Sequence, residues 1–372
     1  MKNPKILFIS RAYPPVLGGI ENQNYGIAQA LTKITTTKII ANKRGKRFLP
    51  VFLPWLMFKG FFIVPRYDVV LVGDGVLTPI CRLWKFFYNR KKYISIVHGL
   101  DITFAYKKSL FGKIYREVNI PALKKMDKLF MVGNESIEQA VKIGIPREQC
   151  VFIPNGLILE RTHTDATKKD LEKVLGIDLE GKKVIFRAGR FTPHKGTEWF
   201  IKNIMSKLQE NYILVCAGGM PNSAGDENYF PKCEKAVMDL GLEKRVKLLP
   251  NLPQSEMNII FNTCDLSVSP NIKVPGSMEG FGITAIESAV CKRVILASGI
   301  EGLKDAIKDG ENGFLLPWGD ADAWVKKINE VLADDEFRKS FGEKARQYVL
   351  DNFTWDKISK KYLEEIEKTI NA

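Results

Sequence analysis

The sequence predicts an α/β protein of two tandem Rossmann-like domains, each a doubly wound parallel sheet, facing a central cleft. Three observations carry that expectation. The chain has 372 residues, and at roughly 100–200 residues per domain this favours two cores over one. Short, nearly continuous apolar runs alternate with helical segments, the pattern of strands buried on both faces. The cycle then restarts after an irregular polar stretch at 160–169. A composition of 45% hydrophobic and 26% charged residues is close to the globular average and excludes disordered, collagen-like and disulfide-scaffold chains.

The first strand is expected at 5–10, where KILFIS is apolar almost throughout. A loop with Pro14, Pro15, Gly18 and Gly19 leads into a helix over about 20–31. Strands at 38–41, 69–72, 93–97, 129–132 and 150–153 complete a first domain over 1–165. Beyond the polar stretch, strands at 184–188, 212–217, 246–249, 266–269, 293–297 and 313–315 build a second domain over 166–350. A last segment, 351–372, joined at Asn352-Phe353-Thr354-Trp355, is a helix expected to return to the first domain. The most apolar stretch, 49–64, is interrupted by Pro50, Pro54 and Lys59 and falls short of the ~20 residues that span a bilayer, so no transmembrane helix is predicted. The N-terminus has a basic start but too short an apolar run for a secretory signal, which makes a cytoplasmic location the expectation.

Charge is unevenly spread. Residues 1–160 hold 25 Lys and Arg against 10 Asp and Glu, while the remainder holds 31 against 32. A basic half implies an anionic partner. Lys43, Arg44, Lys46 and Arg47 precede Phe48, Phe52, Trp55, Phe58, Phe61 and Phe62, and Trp84, Phe86, Phe87 and Tyr88 precede Arg90, Lys91 and Lys92. Cations beside aromatics describe a surface for the headgroup region of an anionic membrane, at the inner face of the cell membrane; packing of the same aromatics inside the first domain is the alternative. Nucleic acid is not an expected partner, because no zinc-finger spacing, RNP pattern or heptads are present. The six cysteines, Cys81, Cys150, Cys216, Cys233, Cys264 and Cys291, form no C-x-x-C or Cys/His cluster and read as buried thiols in a reducing compartment.

In open parallel sheets, ligands bind beyond the carboxyl ends of the strands, so chemistry is sought in the loops that follow them. Glu279-Gly280-Phe281-Gly282-Ile283-Thr284-Ala285-Ile286-Glu287 sets two carboxylates across a glycine turn that opens a helix. Ile283, Ile286 and Val290 define an apolar stripe with Glu287 on the same side, and an inward glutamate is costly unless it binds something such as ribose hydroxyls. Glu279 stands just ahead of the helix, beside free N–H groups that favour a phosphate. Arg190 and Lys195 follow the strand 184–188, where two cations can neutralise a pyrophosphate without metal. Gly18-Gly19 permits close backbone approach at a helix start, yet no dinucleotide fingerprint is present. His98 ends a strand, and Pro154-Asn155-Gly156 is first of all a turn.

In this order the residues resemble the retaining nucleotide-sugar glycosyltransferases of the GT-B fold, specifically glycosyltransferase family 4. The resemblance spans nearly the whole chain: Gly18-Gly19, His98-Gly99, Ile153-Pro154-Asn155-Gly156, Gly189-Arg190 with Lys195-Gly196, and Glu279 with Glu287. It implies that Arg190 and Lys195 hold the donor diphosphate, Glu287 the ribose and Glu279 the donor-sugar hydroxyls. The backbone of Phe281, Gly282 and Ile283 would bind phosphate and sugar, and His98 would touch the sugar near its reacting carbon. Leu252 would lie against the base, and Gly18 and Gly19 would border the diphosphate. The family often has an aspartate shortly after Asn-Gly; Leu157 and Ile158 stand there instead.

The expected activity is therefore transfer of a hexosyl group from a nucleoside-diphosphate sugar to an acceptor hydroxyl on a glycolipid or surface-glycan precursor. A front-face mechanism with retention is expected, with neither cofactor nor metal, since no aspartate cluster of metal-ligand character stands out. The rival readings are a sugar-nucleotide epimerase of the same fold and a non-enzymatic protein that binds anionic lipid or RNA.

Overall fold

The computed structural model describes residues 3–16, 18–104, 110–159, 162, 164–220 and 229–372; part of the polar stretch at 160–169, namely 160, 161 and 163, lies outside them. The chain divides into two compact units. The first contains the residues up to Gly156 together with Gly276–Phe281 and Phe353–Ala372, and the second contains Leu157–Pro275 and Gly282–Asn352.

The first unit holds β1 (Ile6–Ser10), β2 (Thr37–Ala41), β3 (Val69–Val72), β4 (Lys92–Val97), β5 (Lys128–Met131) and β6 (Cys150–Phe152). They form one parallel sheet in the order β2-β1-β3-β4-β5-β6. β1 lies between β2 and β3, with Ile6 opposite Thr37 on one side and Val69 on the other, and all its residues are buried, which is why its sequence is apolar without alternation. The helices Gly19–Ile34, Leu49–Ile63, Thr78–Phe87, Leu110–Leu123 and Asn134–Lys142 connect successive strands. Phe52, Leu56, Cys81, Trp84, Ile120 and Leu123 share one core with Ile9, Val72, Val97 and Met131, so the second, third and fourth of these helices cover the same face of the sheet.

The helix Leu49–Ile63 corrects the expectation that prolines interrupt this stretch. Pro50 sits in its first turn, where a backbone N–H has no intrahelical partner to lose, and the helix continues through Pro54. With a 3₁₀ turn at each end, the helical path Lys46–Arg66 is, by length and composition alone, long and apolar enough to cross a membrane. Its inner side is core: Gly60 packs so closely on the Trp84 indole that a Cβ there would collide with the ring, while Trp84 Nε1–H donates to the Met57 carbonyl at 3.0 Å.

The second unit repeats the plan with β7 (Lys183–Ala188), β8 (Tyr212–Gly218), β9 (Val246–Pro250), β10 (Leu266–Ser269), β11 (Ile295–Ser298) and β12 (Phe314–Leu316), ordered β12-β11-β10-β7-β8-β9 and parallel. The division falls at Gly156, ahead of the expected 165, because the Thr162 carbonyl accepts from Asn262 Nδ2 at 2.6 Å and from Cys291 Sγ at 3.4 Å, both in the second unit. The helix Trp355–Asn371 belongs to the first unit, where Tyr362 meets Phe130 edge-on at 5.2 Å and Trp355 packs on Gly26 and Gly156. All six cysteines are buried free thiols, and burial pushes those of Cys216, Cys233 and Cys291 up to about 12.

Candidate active site

The carboxyl end of β7 holds the two cations singled out from sequence. Gly189 follows the strand with φ of 124°, and the Lys195 side chain lies along its open face, with Nζ 3.9 Å from the position a Cβ would take. Arg190 is exposed and its Cγ stands 3.6 Å from the corresponding point on Gly219, just past β8. Both charged groups are thus carried at the carboxyl ends of two adjacent central strands. A residue missed in the sequence holds them there. Arg187 is buried within β7 and donates from Nη1 to the Gly189 carbonyl at 2.6 Å and from Nη2 to the Arg190 carbonyl at 2.7 Å. Its two-pronged guanidinium fixes the turn from below. Lys195 closes a 3₁₀ turn, Pro193–Lys195, that ends in Gly196 at φ 68°; any larger residue there would strike the Pro270 carbonyl.

The helix Ile283–Val290 descends from the loop after β10, next to β7 in the sheet. Gly282 begins it in the left-handed region, φ 89°, and no side chain caps it. Its first N–H groups have no intrahelical acceptors, and the helix dipole adds to them, so the end attracts an anion. Its buried face is Ala285, Ile286, Ser288, Ala289 and Val290. Ile283 and Glu287, four residues apart, are half-buried with Thr284 beside them. This corrects the expected inward position: Glu287 stands at the margin of the buried face, where a carboxylate stays partly hydrated and reachable by a ligand.

Glu279 belongs with the other sheet. The segment Gly276–Phe281 is part of the first unit and crosses the carboxyl ends of β4 and β5. The Cβ position of Gly280 lies 2.8 Å from the His98 carbonyl and 3.7 Å from Val132, and that of Gly99 lies 2.8 Å from Met278 Cε. Phe281 anchors the segment against Phe353, with ring centroids 5.6 Å apart. The structure therefore sets half-buried Glu279 between two residues, Met278 and Gly280, that pack on His98-Gly99, while Arg190, Lys195, Gly282, Ile283 and Glu287 share the carboxyl edge of the second sheet.

His98 is locked in place. Its backbone N–H donates to Asp101 Oδ2 at 2.8 Å, and its Nε2 lies 2.9 Å from the Gly73 carbonyl. A carbonyl only accepts, so Nε2 carries the proton and, in the neutral ring, Nδ1 is left as the acceptor. Behind it lies a buried charge cluster that no local pattern announces. Arg11 Nε, just past β1, donates to Asp74 Oδ1 at 2.9 Å, and Asp101 is buried close by. Burial raises the Asp101 pKa, the nearby Asp74 adds to this, and His98 and Arg11 pull in the opposite direction. Burial alone would lower the Arg11 pKa, but Asp74 and Asp101 outweigh it and the net shift is upward.

Gly18 and Gly19 open the helix Gly19–Ile34, and the Glu21 carboxylate folds back over Gly18, while nothing stands within 4 Å above Gly19. Leu252 is half-buried after β9, the strand beside β8. Asn251 pins this loop by donating from its N–H to the Gly218 carbonyl at 2.8 Å and accepting from the Met220 N–H at 3.1 Å. Pro154-Asn155-Gly156 is a joint: the Gly156 carbonyl accepts from Gln23 Nε2 at 3.1 Å. Among the described residues, no three His, Cys, Asp or Glu side chains gather where a metal ion could sit.

Two six-stranded parallel sheets, each with its polar loops at the carboxyl edge, define a GT-B fold. Solved structures share it: HepE of Anabaena in complex with UDP-glucose superposes with a TM-score of 0.75 at 19% identity over 98% of this chain and 100% of that one. Sucrose-phosphate synthase of Thermosynechococcus elongatus gives 0.77 at 18% identity over 98% of each. Residues 156–348 match the family model described as glycosyl transferases group 1, and the chain belongs to that family. A D-inositol 3-phosphate glycosyltransferase of Corynebacterium urealyticum is 28% identical over 54% of this chain and 46% of its own length; the chain thus spans about half the length of such relatives. An uncharacterized glycosyltransferase of Methanocaldococcus jannaschii is 24% identical over 96% of both.

Proposed function

We propose that the protein is a retaining glycosyltransferase of family 4 that moves a hexosyl group from a nucleoside-diphosphate sugar to an acceptor hydroxyl on a glycolipid or surface-glycan precursor. The reading places it at the cytoplasmic face of the membrane and needs no metal. The observation that carries it is the pairing of Arg190 and Lys195, held by Arg187, with the uncapped start of Ile283–Val290 on one sheet edge. Two cations and a helix dipole suit a diphosphate whose charge grows as it leaves. HepE, which shares the fold, was solved with UDP-glucose, which makes a UDP-sugar the first donor to try.

In the proposed reaction the bond from the anomeric carbon to the β-phosphate oxygen breaks, and the departing phosphate takes the proton of the acceptor hydroxyl. That hydroxyl oxygen then bonds to the same face of the sugar. Arg190 and Lys195 stabilise the charge on the leaving group, Glu287 accepts from the ribose hydroxyls, and Glu279 accepts from the sugar. His98 Nδ1 takes a sugar hydroxyl. Leu252 lies against the base, and Phe281, Gly282 and Ile283 offer backbone N–H groups.

The test has two stages. UDP-, GDP- and ADP-sugars are screened for thermal stabilisation, since a ligand bound only by the folded state raises the melting temperature. With the donor in hand, Arg190→Ala and Lys195→Ala are each expected to lower kcat about 10²-fold, the cost of deleting one donor to a developing anion. Wild-type turnover in the double variant would overturn the assignment, and conversion of the sugar nucleotide without acceptor would make the protein an epimerase.

A further inference from the structure

One face of the first unit is apolar where it meets water. Along the helix Leu49–Ile63, Phe52, Leu56 and Gly60 are buried, while Val51, Trp55, Phe58 and Phe62 are exposed, Phe62 to 76%. The exposed set recurs at intervals of four, three and four residues, so it forms a single stripe along the outer side. The neighbouring helix Thr78–Phe87 buries Cys81 and Trp84 and exposes Leu83, Phe86 and Phe87, with Phe86 at 81%. Phe61 and Phe87 join the two helices edge to face at 5.3 Å, and Phe86 stands 5.2 Å from Phe87, which makes the patch continuous. A third helix on the same face, Leu110–Leu123, adds Leu110, Ile114 and Val118. Exposed aromatic and aliphatic side chains gathered on one side of a folded unit mark an interaction surface.

Its border identifies the partner. Residues 43–92 contain 11 Lys and Arg and only two acids, Asp68 and Asp74. Asp74 is buried on Arg11, and Asp68 accepts from the Lys5 backbone N–H at 2.9 Å. Lys43, Arg44, Lys46, Arg47, Arg66, Arg82 and Arg90 are exposed. Lys59, on the helix itself, lies over the Trp55 ring at 4.9 Å, the disposition of an amphipathic cation lying along an apolar surface. On neighbouring elements, Asp127 pairs with Lys85 at 2.8 Å, and exposed Glu117 pairs with Arg116 at 3.3 Å. An apolar, aromatic centre with an almost purely cationic rim matches the acyl boundary and headgroups of an anionic bilayer, whereas a protein partner would call for mixed charge.

We propose that the outer faces of Leu49–Ile63 and Thr78–Phe87 dock the protein flat on an anionic membrane. Topology decides that the helix lies on the bilayer and does not span it. It connects β2 to β3, which both pair with β1 in one sheet, and its inner side is buried along that sheet over its full length. The aromatics enter the headgroup–acyl boundary while the cations rest on lipid phosphates. This deepens the reading of the acceptor as a glycolipid and depends on the proposed function only for what the enzyme would find there.

The experiment is flotation of the full chain with vesicles of phosphatidylcholine alone and of an equimolar phosphatidylcholine–phosphatidylglycerol mixture, across a salt series. Wild type is expected to float with the anionic vesicles, less so as salt screens the rim. Phe62→Asp and Phe86→Asp are each expected to lower partitioning about tenfold, and Lys46→Glu with Arg47→Glu to lower it for anionic vesicles only. Because the substituted side chains are exposed, unchanged melting temperatures check that each variant folds. Absence of wild-type flotation overturns the proposal. So does a wild-type dimer that both aspartate variants dissociate, which would make the face a contact between copies of the chain. Thermal stabilisation by the UDP-, GDP- or ADP-sugar found in the donor screen, read on the same samples, is expected to be unaffected by the variants; absence of stabilisation by all three in wild type would count against the sugar-transfer reading and leave the membrane surface standing.

Discussion

Arg187 and Arg190 share a side-chain type and a strand end, and burial gives them different work. Arg190 is exposed and available to a ligand; Arg187 is enclosed and spends two donors on the carbonyls of Gly189 and Arg190. The sequence exposes the first, since a cation directly after a strand lies where ligands bind, and conceals the second, because nothing local tells a strand arginine which way its donors point. The cluster behind His98 was hidden for a related reason: Arg11 and Asp74 are 63 positions apart, and only the pairing of β1 with β3 brings them together. Asp101 makes this cluster testable. Its folded pKa lies above the unfolded value, chiefly through burial and then through Asp74. The folded state therefore holds the proton over a window where the unfolded chain has lost it, and stability falls as pH rises through that window. Asp101→Asn keeps an acceptor for the His98 N–H and removes the titration. Its melting temperature is expected to gain on wild type as pH rises from the acid end of the carboxylate range towards neutrality. A gap independent of pH would refute the buried-carboxyl account.

At the scale of elements, the strands were the most legible feature. Each of the twelve found lies within two residues of its expected position at both ends, because an interior parallel strand needs apolar side chains on both faces and leaves a short unbroken run. β11 starts later than expected because Lys292 turns with φ 61° and Arg293 is drawn to the carbonyls of Cys291 and Cys264. The helix Leu49–Ile63 departs from the expectation that prolines interrupt this stretch: Pro50 costs little in a first turn, and the helix continues through Pro54. The glycine turn before Ile283–Val290 is the element where geometry is most demanding. Gly282 combines a φ of 89° with a Cβ position 2.8 Å from Leu303 Cδ2. Gly282→Ala should cost about 1–3 kcal/mol, from a left-handed alanine and the displaced leucine, visible as a lower melting temperature. It should also raise KM for the donor by tilting the helix start. Melting at the wild-type temperature would show that the turn relaxes.

For the whole molecule, the helix Trp355–Asn371 matters more than its terminal position suggests. Tyr362 is buried to 2% exposure and meets Phe130 of β5, so Tyr362→Ala removes an aromatic from the core of the first unit at about 3–5 kcal/mol. Calorimetry should show the loss as a lower melting temperature; an unchanged melt would place the helix outside that core. The charge asymmetry was readable from composition alone, yet which cations border exposed aromatics required the helix faces. The two-sheet plan was equally plain, but the membership of Gly276–Phe281 in the first unit was not, since six residues without a strand or helix have no periodicity to read.

The polypeptide passes from one unit to the other four times, at Gly156, Pro275, Phe281 and Asn352. A chimaera that grafts a relative's first 156 residues onto this carboxyl half would inherit a foreign hexapeptide under His98 and a foreign tail against Phe130. Exchange of the first unit between relatives by recombination therefore has to move three separate stretches of gene together, and a single crossover near codon 156 is expected to yield a misassembled hybrid.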